Sequence, residues 1–200
     1  MSKFIYLISP KKINKKFFKI LNKVLSSKTV KFFQLRLKKK SKKTIINIAK
    51  KVKRITKKHN VKFLINDDYL LSLKISSDGC HMGQSDGSFE DAKKKLKNRI
   101  LGVTCHNSKK LAIKAVKNKA NYVAFGSFYK SKLKLNAIKA NLKILKWAKK
   151  NIKVPIVAIG GINNKNYKKL IKSGANYIAI SSYIWDNPKL KPEFAIKKFK

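Results

Sequence analysis

Acidic side chains are scarce in this chain of 200 residues: Asp and Glu together number 8 against 51 Lys and Arg, a formal net charge of +43. Charge of that size would by itself suggest a nucleic acid or an anionic membrane surface as partner. Arginine is scarce too, confined to Arg36, Arg54 and Arg99, whereas base-edge readout and bidentate phosphate clamping favour arginine over lysine. The lysines run along the whole chain among asparagines and isoleucines, as on solvated helix faces. No specific nucleic-acid partner is therefore expected. Cysteine is limited to Cys80 and Cys105, which lack the CxxC spacing of a zinc site and the density of a disulfide-held secreted scaffold, so a reducing cytoplasmic setting is expected. The apolar stretch from Phe4 to Ile8 is too short for a signal peptide, and no run approaches the roughly 18 residues of a membrane span. No membrane partner is expected. Also missing are a linker, a low-complexity tract and a GxGxxG turn after the first strand-like run, the last of which argues against an open dinucleotide-binding sheet.

What is present is a regular ladder. Short β-branched or aromatic runs occur at Phe4–Ser9, Phe32–Lys38, Lys62–Asp67, Gly79–Gly83, Ile100–His106, Tyr122–Phe128, Pro155–Gly161 and Tyr177–Trp185, and amphipathic helical segments lie between them. Ile45, Ile48, Ala49 and Val52 mark one helix by their 3.6 period, Ile138, Leu142, Leu145 and Ala148 another, and Tyr167, Leu170 and Ile171 a third, which Gly174 closes. Right-handed crossovers make the strands parallel, and eight of them can close on themselves. The expected architecture is a single-domain (β/α)8 TIM barrel over residues 1–200.

In such a barrel the chemistry sits at the C-terminal strand ends. The period of two in strand two places Gln34, Arg36 and Lys38 on one face and Leu35 and Leu37 on the other. An amide and two cations directed into a barrel cost several kcal/mol unless an anion or ordered water meets them. Asp67 and Asp86 fall at the mouths of strands three and four, a pair suited to a hard cation such as Mg²⁺ with phosphate oxygens and water completing its shell. A competing role for Asp67 is to cap the helix that follows. The segment Gly126 to Lys134 brings Ser131 and Lys134 into a loop over the mouth. Gly160 and Gly161 after strand seven, with Ser181 and Ser182 in strand eight, lie where barrels most often build a phosphate site from backbone amides. His81 and His106 end strands four and five, and each fits either a structural hydrogen bond or catalysis. Met82, Trp147 and Trp185 read as packing residues, and His59 as a helix end.

Taken together, Gln34–Lys38, Ile65–Asp67, Asp78–Asp86, Gly102–His106, Tyr122–Gly126 and Val157–Ile162 resemble, in order and spacing and nearly end to end, the thiamine phosphate synthase family. The Asn–Asp pair followed by His-x-Gly-Gln-x-Asp is the most specific part. The resemblance implies an alkyl-transferring enzyme that condenses hydroxymethylpyrimidine diphosphate with hydroxyethylthiazole phosphate, giving thiamine phosphate and pyrophosphate. It also implies that Gln34, Arg36, Lys38, Asn66, Thr104 and Lys134 hold the pyrimidine diphosphate, with Arg36, Lys38 and Lys134 as the catalytic cations. Asp67 and Asp86 would bind Mg²⁺, and Ser131, Gly161, Ser181 and Ser182 would face the thiazole phosphate. The partners are thus small phosphate esters. Three positions depart from the family pattern: Leu37 replaces a glutamate on the outer face, Leu133 replaces a threonine beside Lys134, and Thr104 replaces a serine while keeping the hydroxyl. Two other readings are a thiazole tautomerase-like barrel relying on a histidine near His106, and a non-enzymatic basic nucleic-acid-binding protein. Retention of Arg36, Lys38 and both aspartates argues against the first.

Overall fold

The computed structural model describes residues 3–38, 40–129 and 138–200. Eight strands, β1 (Ile5–Ile8), β2 (Val30–Leu35), β3 (Lys62–Asn66), β4 (Gly79–Met82), β5 (Ile100–His106), β6 (Tyr122–Phe125), β7 (Ile156–Ile159) and β8 (Tyr177–Ile180), pair in sequence order into a closed barrel. All pairings are parallel, β8 returning to β1 through Ile5 opposite Ile178. The crossovers carry α1 (Lys15–Leu25), α2 (Lys42–Lys58), α3 (Tyr69–Lys74), α4 (Phe89–Leu96), α5 (Lys109–Lys117), α6 (Leu142–Asn151) and α7 (Tyr167–Lys172), and the short α8 (Ser182–Trp185) and α9 (Pro192–Ala195) follow β8.

Helix starts are written in the sequence. Asn14, Ser41, Asp68, Ser88, Ser108 and Asn141 each take extended backbone and accept a hydrogen bond from an N–H of the first turn, which satisfies a donor that the helix itself cannot. His59 caps the end of α2, as its position suggests. Gly174, at φ +118°, follows α7 in the left-handed region where a side chain would be strained.

Strand alternation divides the apolar residues into two cores. Ile5, Leu7, Phe33, Phe63, Leu101, Val123 and Ile178 face the helices, where they meet Leu21, Val52, Ala112, Leu145 and Leu170. Tyr6, Phe32, Leu64, Tyr122, Val157 and Ala179 fill the barrel interior. Leu35 and Leu37 join the outer core, so the alternation expected for strand two holds.

Several expected boundaries need correction. The ladder of β2 ends at Leu35, because the Arg36 N–H donates to Ser9 Oγ (2.9 Å) instead of to a strand carbonyl. The strand expected over Tyr177–Trp185 stops at Ile180. The N–H groups of Ile184 and Trp185 turn back to the carbonyl of Ser181, and the Trp185 indole donates to the Ile8 carbonyl (2.6 Å), so 182–185 coil as one helical turn. Ser182 is therefore helical. Ile138 stands 59% exposed ahead of α6 rather than on its buried stripe.

Candidate functional site

The C-terminal ends of β2 to β5 bring the expected polar residues together. Gln34 is buried at the end of β2, and its side-chain amide donates to the Asn66 side-chain carbonyl at the end of β3. One residue on, Asp67 sits at φ +69°, the left-handed region that aspartate tolerates better than most residues, with its N–H bound to the His81 carbonyl (2.8 Å). Asp68, not Asp67, caps α3, accepting from the Leu71 N–H (2.7 Å). Freed of that role, the Asp67 carboxylate points to Asp86 and lies 3.7 Å from Lys38 Nζ.

Desolvation and the hydrogen-bonding and charge of Asp86 raise the Asp67 pKa, against the weaker opposing pull of Lys38 and Arg36. Two facing carboxylates with flanking cations form a site short of positive charge at its centre, and a hard cation with oxygen ligands matches it. Two carboxylates suffice for Mg²⁺ when substrate oxygens and water supply the rest. Among the described residues no group of three or more His, Cys, Asp or Glu gathers. The loop carrying Asp86 is braced at both ends. Asp86 Oδ2 accepts from the Gly83 N–H (2.7 Å), and Gln84 Nε2 donates to the Thr104 carbonyl (2.5 Å).

Below this rim runs a chain of side chains. Tyr6 Oη lies 2.8 Å from Tyr122 Oη, which lies 2.8 Å from His81 Nδ1, and His81 Nε2 lies 2.9 Å from Thr104 Oγ1. Burial pushes the imidazole of His81 down to about 4, Asp86 opposing and Arg36 reinforcing the shift. Burial also raises both phenols above their ordinary range. His81 is thus a hydrogen-bonded member of the barrel interior. Tyr6 and Tyr122 were not singled out from sequence, although alternation along their strands turns both inward.

Across the mouth, Gly160 (φ +106°) and Gly161 (φ +59°) turn the chain after β7, and a side chain on Gly160 would come within 2.0 Å of Ser127 Oγ. The Asn166 side chain donates to the Gly161 carbonyl (3.1 Å) and accepts from the Asn163 N–H (2.9 Å), which fixes the turn. Ser181 Oγ donates to the Ser9 carbonyl (3.2 Å), and Ser182 opens α8 beside it. Ser131, Leu133 and Lys134 lie outside the described residues. Among the described residues, the Ser127 N–H donates to the Ile138 carbonyl (2.8 Å) and the Ala140 N–H to the Ser127 carbonyl (2.9 Å).

Fold and mouth together define a (β/α)8 barrel with cations, amides and paired carboxylates on one side of its opening and a glycine–serine turn on the other. Residues 5–184 match the family model described as thiamine monophosphate synthase. The thiamine-phosphate synthase of Pelagibacter ubique is 55% identical, over 99% of this chain and 96% of that protein, and that of Thermoplasma acidophilum is 31% identical over 99% and 91%. The solved thiamine phosphate pyrophosphorylase of Pyrococcus furiosus superposes with a TM-score of 0.88 at 25% identity, covering 98% of this chain and 93% of that one. The chain belongs to the thiamine monophosphate synthase family. Among the described residues, no helix is long and apolar enough to cross a membrane.

Proposed function

We propose that this mouth condenses hydroxymethylpyrimidine diphosphate with hydroxyethylthiazole phosphate, releasing pyrophosphate and forming thiamine phosphate. The carrying observation is the pairing of the Asp67 and Asp86 carboxylates beside Lys38 and Arg36, with buried Gln34 bonded to Asn66, the residue before Asp67.

The C–O bond to the diphosphate breaks first, its electron pair leaving with pyrophosphate. The resulting pyrimidine methylene cation is then captured by the lone pair of the thiazole nitrogen. The main energetic demand is stabilisation of a departing polyanion, and preorganised cations in a water-poor site meet it. Arg36 and Lys38 take that role from just beyond β2, and Lys134, outside the described residues, takes it as the family resemblance implies. Gln34 and Asn66, already bonded to one another, orient the pyrimidine diphosphate, and the Thr104 hydroxyl contacts its diphosphate. Mg²⁺ held by Asp67 and Asp86 would neutralise diphosphate charge. On the opposite side, Gly161, Ser181 and Ser182 receive the thiazole phosphate, in the position where barrels commonly bind phosphate, and the family resemblance adds Ser131, outside the described residues. The setting is the cytosol, in keeping with two buried free thiols at Cys80 and Cys105.

The test is direct: purified chain, both substrates and Mg²⁺, with thiamine phosphate detected by oxidation to a fluorescent thiochrome. Formation of thiamine phosphate supports the reading; a correctly folded chain that forms none in the presence of Mg²⁺ overturns it.

A further inference from the structure

The four side chains below the rim contain a hydrogen count that fixes their direction. Tyr6, Tyr122, neutral His81 and Thr104 carry four polar hydrogens between them, one each, and three links join them. Each link uses one hydrogen. One is left over, on Tyr6, Tyr122 or Thr104. Tyr122 is 1% exposed, and among the described residues its hydroxyl meets only Tyr6 Oη and His81 Nδ1, both already in the chain. A spare hydrogen there would be stranded, so it must leave at an end.

At the Tyr6 end it has nowhere to go. Tyr6 is 1% exposed, and among the described residues its hydroxyl meets no polar atom other than Tyr122 Oη. The rings packed around it are those of Phe32, Tyr122 and His81, the last edge-on with ring centroids 6.2 Å apart and its two nitrogens engaged by Tyr122 and Thr104. A buried donor without an acceptor costs about 1–3 kcal/mol. The Thr104 end opens to the mouth, and there the hydrogen can reach a ligand. Protonating His81 would add a fifth hydrogen without adding a link, which strands a phenol hydrogen again. The order therefore runs in one sense: Tyr6 donates to Tyr122, Tyr122 donates to His81 Nδ1, and His81 Nε2–H donates to Thr104 Oγ1.

We infer that Tyr6, Tyr122 and His81 are positioning residues that hold Thr104 as an obligate hydrogen-bond donor to an anionic oxygen of the substrate in the mouth. The inference rests on the proposed function for its ligand, the diphosphate, but the direction of the chain follows from the barrel interior alone. Gly102 is part of the device. A side chain there would lie 1.8 Å from Tyr122 Cζ, so the absence of one gives the Tyr122 ring its place beside His81.

Two measurements test it on the full chain. The first is the ¹⁵N–¹H long-range spectrum of the three histidines, with His81 assigned by its disappearance in His81→Gln. The expected result at pH 7.5 is the Nε2–H tautomer with Nδ1 unprotonated. An Nδ1–H tautomer or an imidazolium overturns the inference, whatever the activity. The second is a kinetic cycle. Thr104→Val should lower kcat/KM for the pyrimidine diphosphate roughly 10- to 150-fold, as loss of a hydrogen bond to a charged group requires, while Thr104→Ser stays within about threefold. Tyr122→Phe should lower it as well, but add little to Thr104→Val, because its effect passes through that hydroxyl. Independent, multiplying losses would overturn the positioning role, as would full activity in Thr104→Val. If the wild-type chain makes no thiamine phosphate, the proposed function fails while the tautomer result still decides the direction of the chain.

Discussion

Replacing Tyr122 by Phe should destabilise the barrel far more than replacing Tyr6, although each substitution removes one hydroxyl from the same buried chain. Tyr122 Oη is the central atom. It lies 2.8 Å from both Tyr6 Oη and His81 Nδ1, so its loss strands the Tyr6 hydrogen and leaves Nδ1 without a donor. Each stranded group costs about 1–3 kcal/mol, a total of about 2–6 kcal/mol. Loss of the Tyr6 hydroxyl leaves Tyr122 still donating to His81, and the cost is that of one net hydrogen bond, about 1 kcal/mol. The pair also predicts a reversal. In the double variant no phenol hydrogen remains to be stranded, so Tyr6→Phe should restore about 1–3 kcal/mol to Tyr122→Phe. Urea unfolding followed by circular dichroism measures all three, provided the slope of free energy against urea stays constant. Equal losses in the two single variants, or additive losses in the double, would refute the reasoning.

The remaining predictions concern charge and metal. Asp67→Asn and Asp86→Asn should each abolish Mg²⁺-dependent synthesis; full turnover in both would sink the metal assignment. Mg²⁺ at about tenfold over its Kd should stabilise the wild-type chain by about 1.4 kcal/mol, or about 3–6 °C in a melt, and should fail to do so in either variant. His81 ionises near 4 in the folded chain against an ordinary 6.5. Its folded value is the lower one, so the stability from keeping it neutral is full above about 6.5 and is lost as pH falls toward 4. The loss is on the order of 3 kcal/mol, and His81→Gln should flatten that part of the stability–pH curve measured by urea unfolding. Any binding to DNA or RNA should be equal for unrelated duplexes and vanish by roughly 200 mM salt in fluorescence anisotropy; selective binding that survives would contradict the reading of the lysines as solvated faces.

The strand positions were legible because local pattern and global fold agree: β5 occupies the expected Ile100–His106, and Gln34, Asn66 and Asp67 occur at the strand ends where periodicity puts them. The errors cluster where a long-range contact overrides local propensity. The residues 181–185 are β-prone in isolation, but the Ser9 and Ile8 carbonyls draw Ser181 and Trp185 into a turn across more than 170 residues of chain. The side-chain relay was illegible for the same reason, since Tyr6 and Tyr122 are 116 residues apart and no local spacing marks them as partners. Alternation could place both in the interior, but not join their hydroxyls.

The scarcity of acid bears on the site itself. Most of the eight carboxylates do local structural work. Asp68 caps α3, and Asp78 accepts from the Phe63 N–H (2.8 Å) and pairs with Lys62 (3.2 Å). Glu90 and Asp91 occupy the first turn of α4, and Glu193 that of α9, where negative charge opposes the helix dipole favourably. Asp67 differs from these. Burial and Asp86 raise its pKa, so at neutral pH its ionised form costs the unliganded fold stability instead of adding to it. It also holds φ +69°, which most side chains avoid. A position that is unfavourable in both backbone and charge, in a chain with so few acids, makes physical sense when a cation completes it. Asp67→Asn should therefore raise the stability of the metal-free chain while removing synthesis, and a metal-free Asn variant less stable than wild type in urea would show that Asp67 serves the fold.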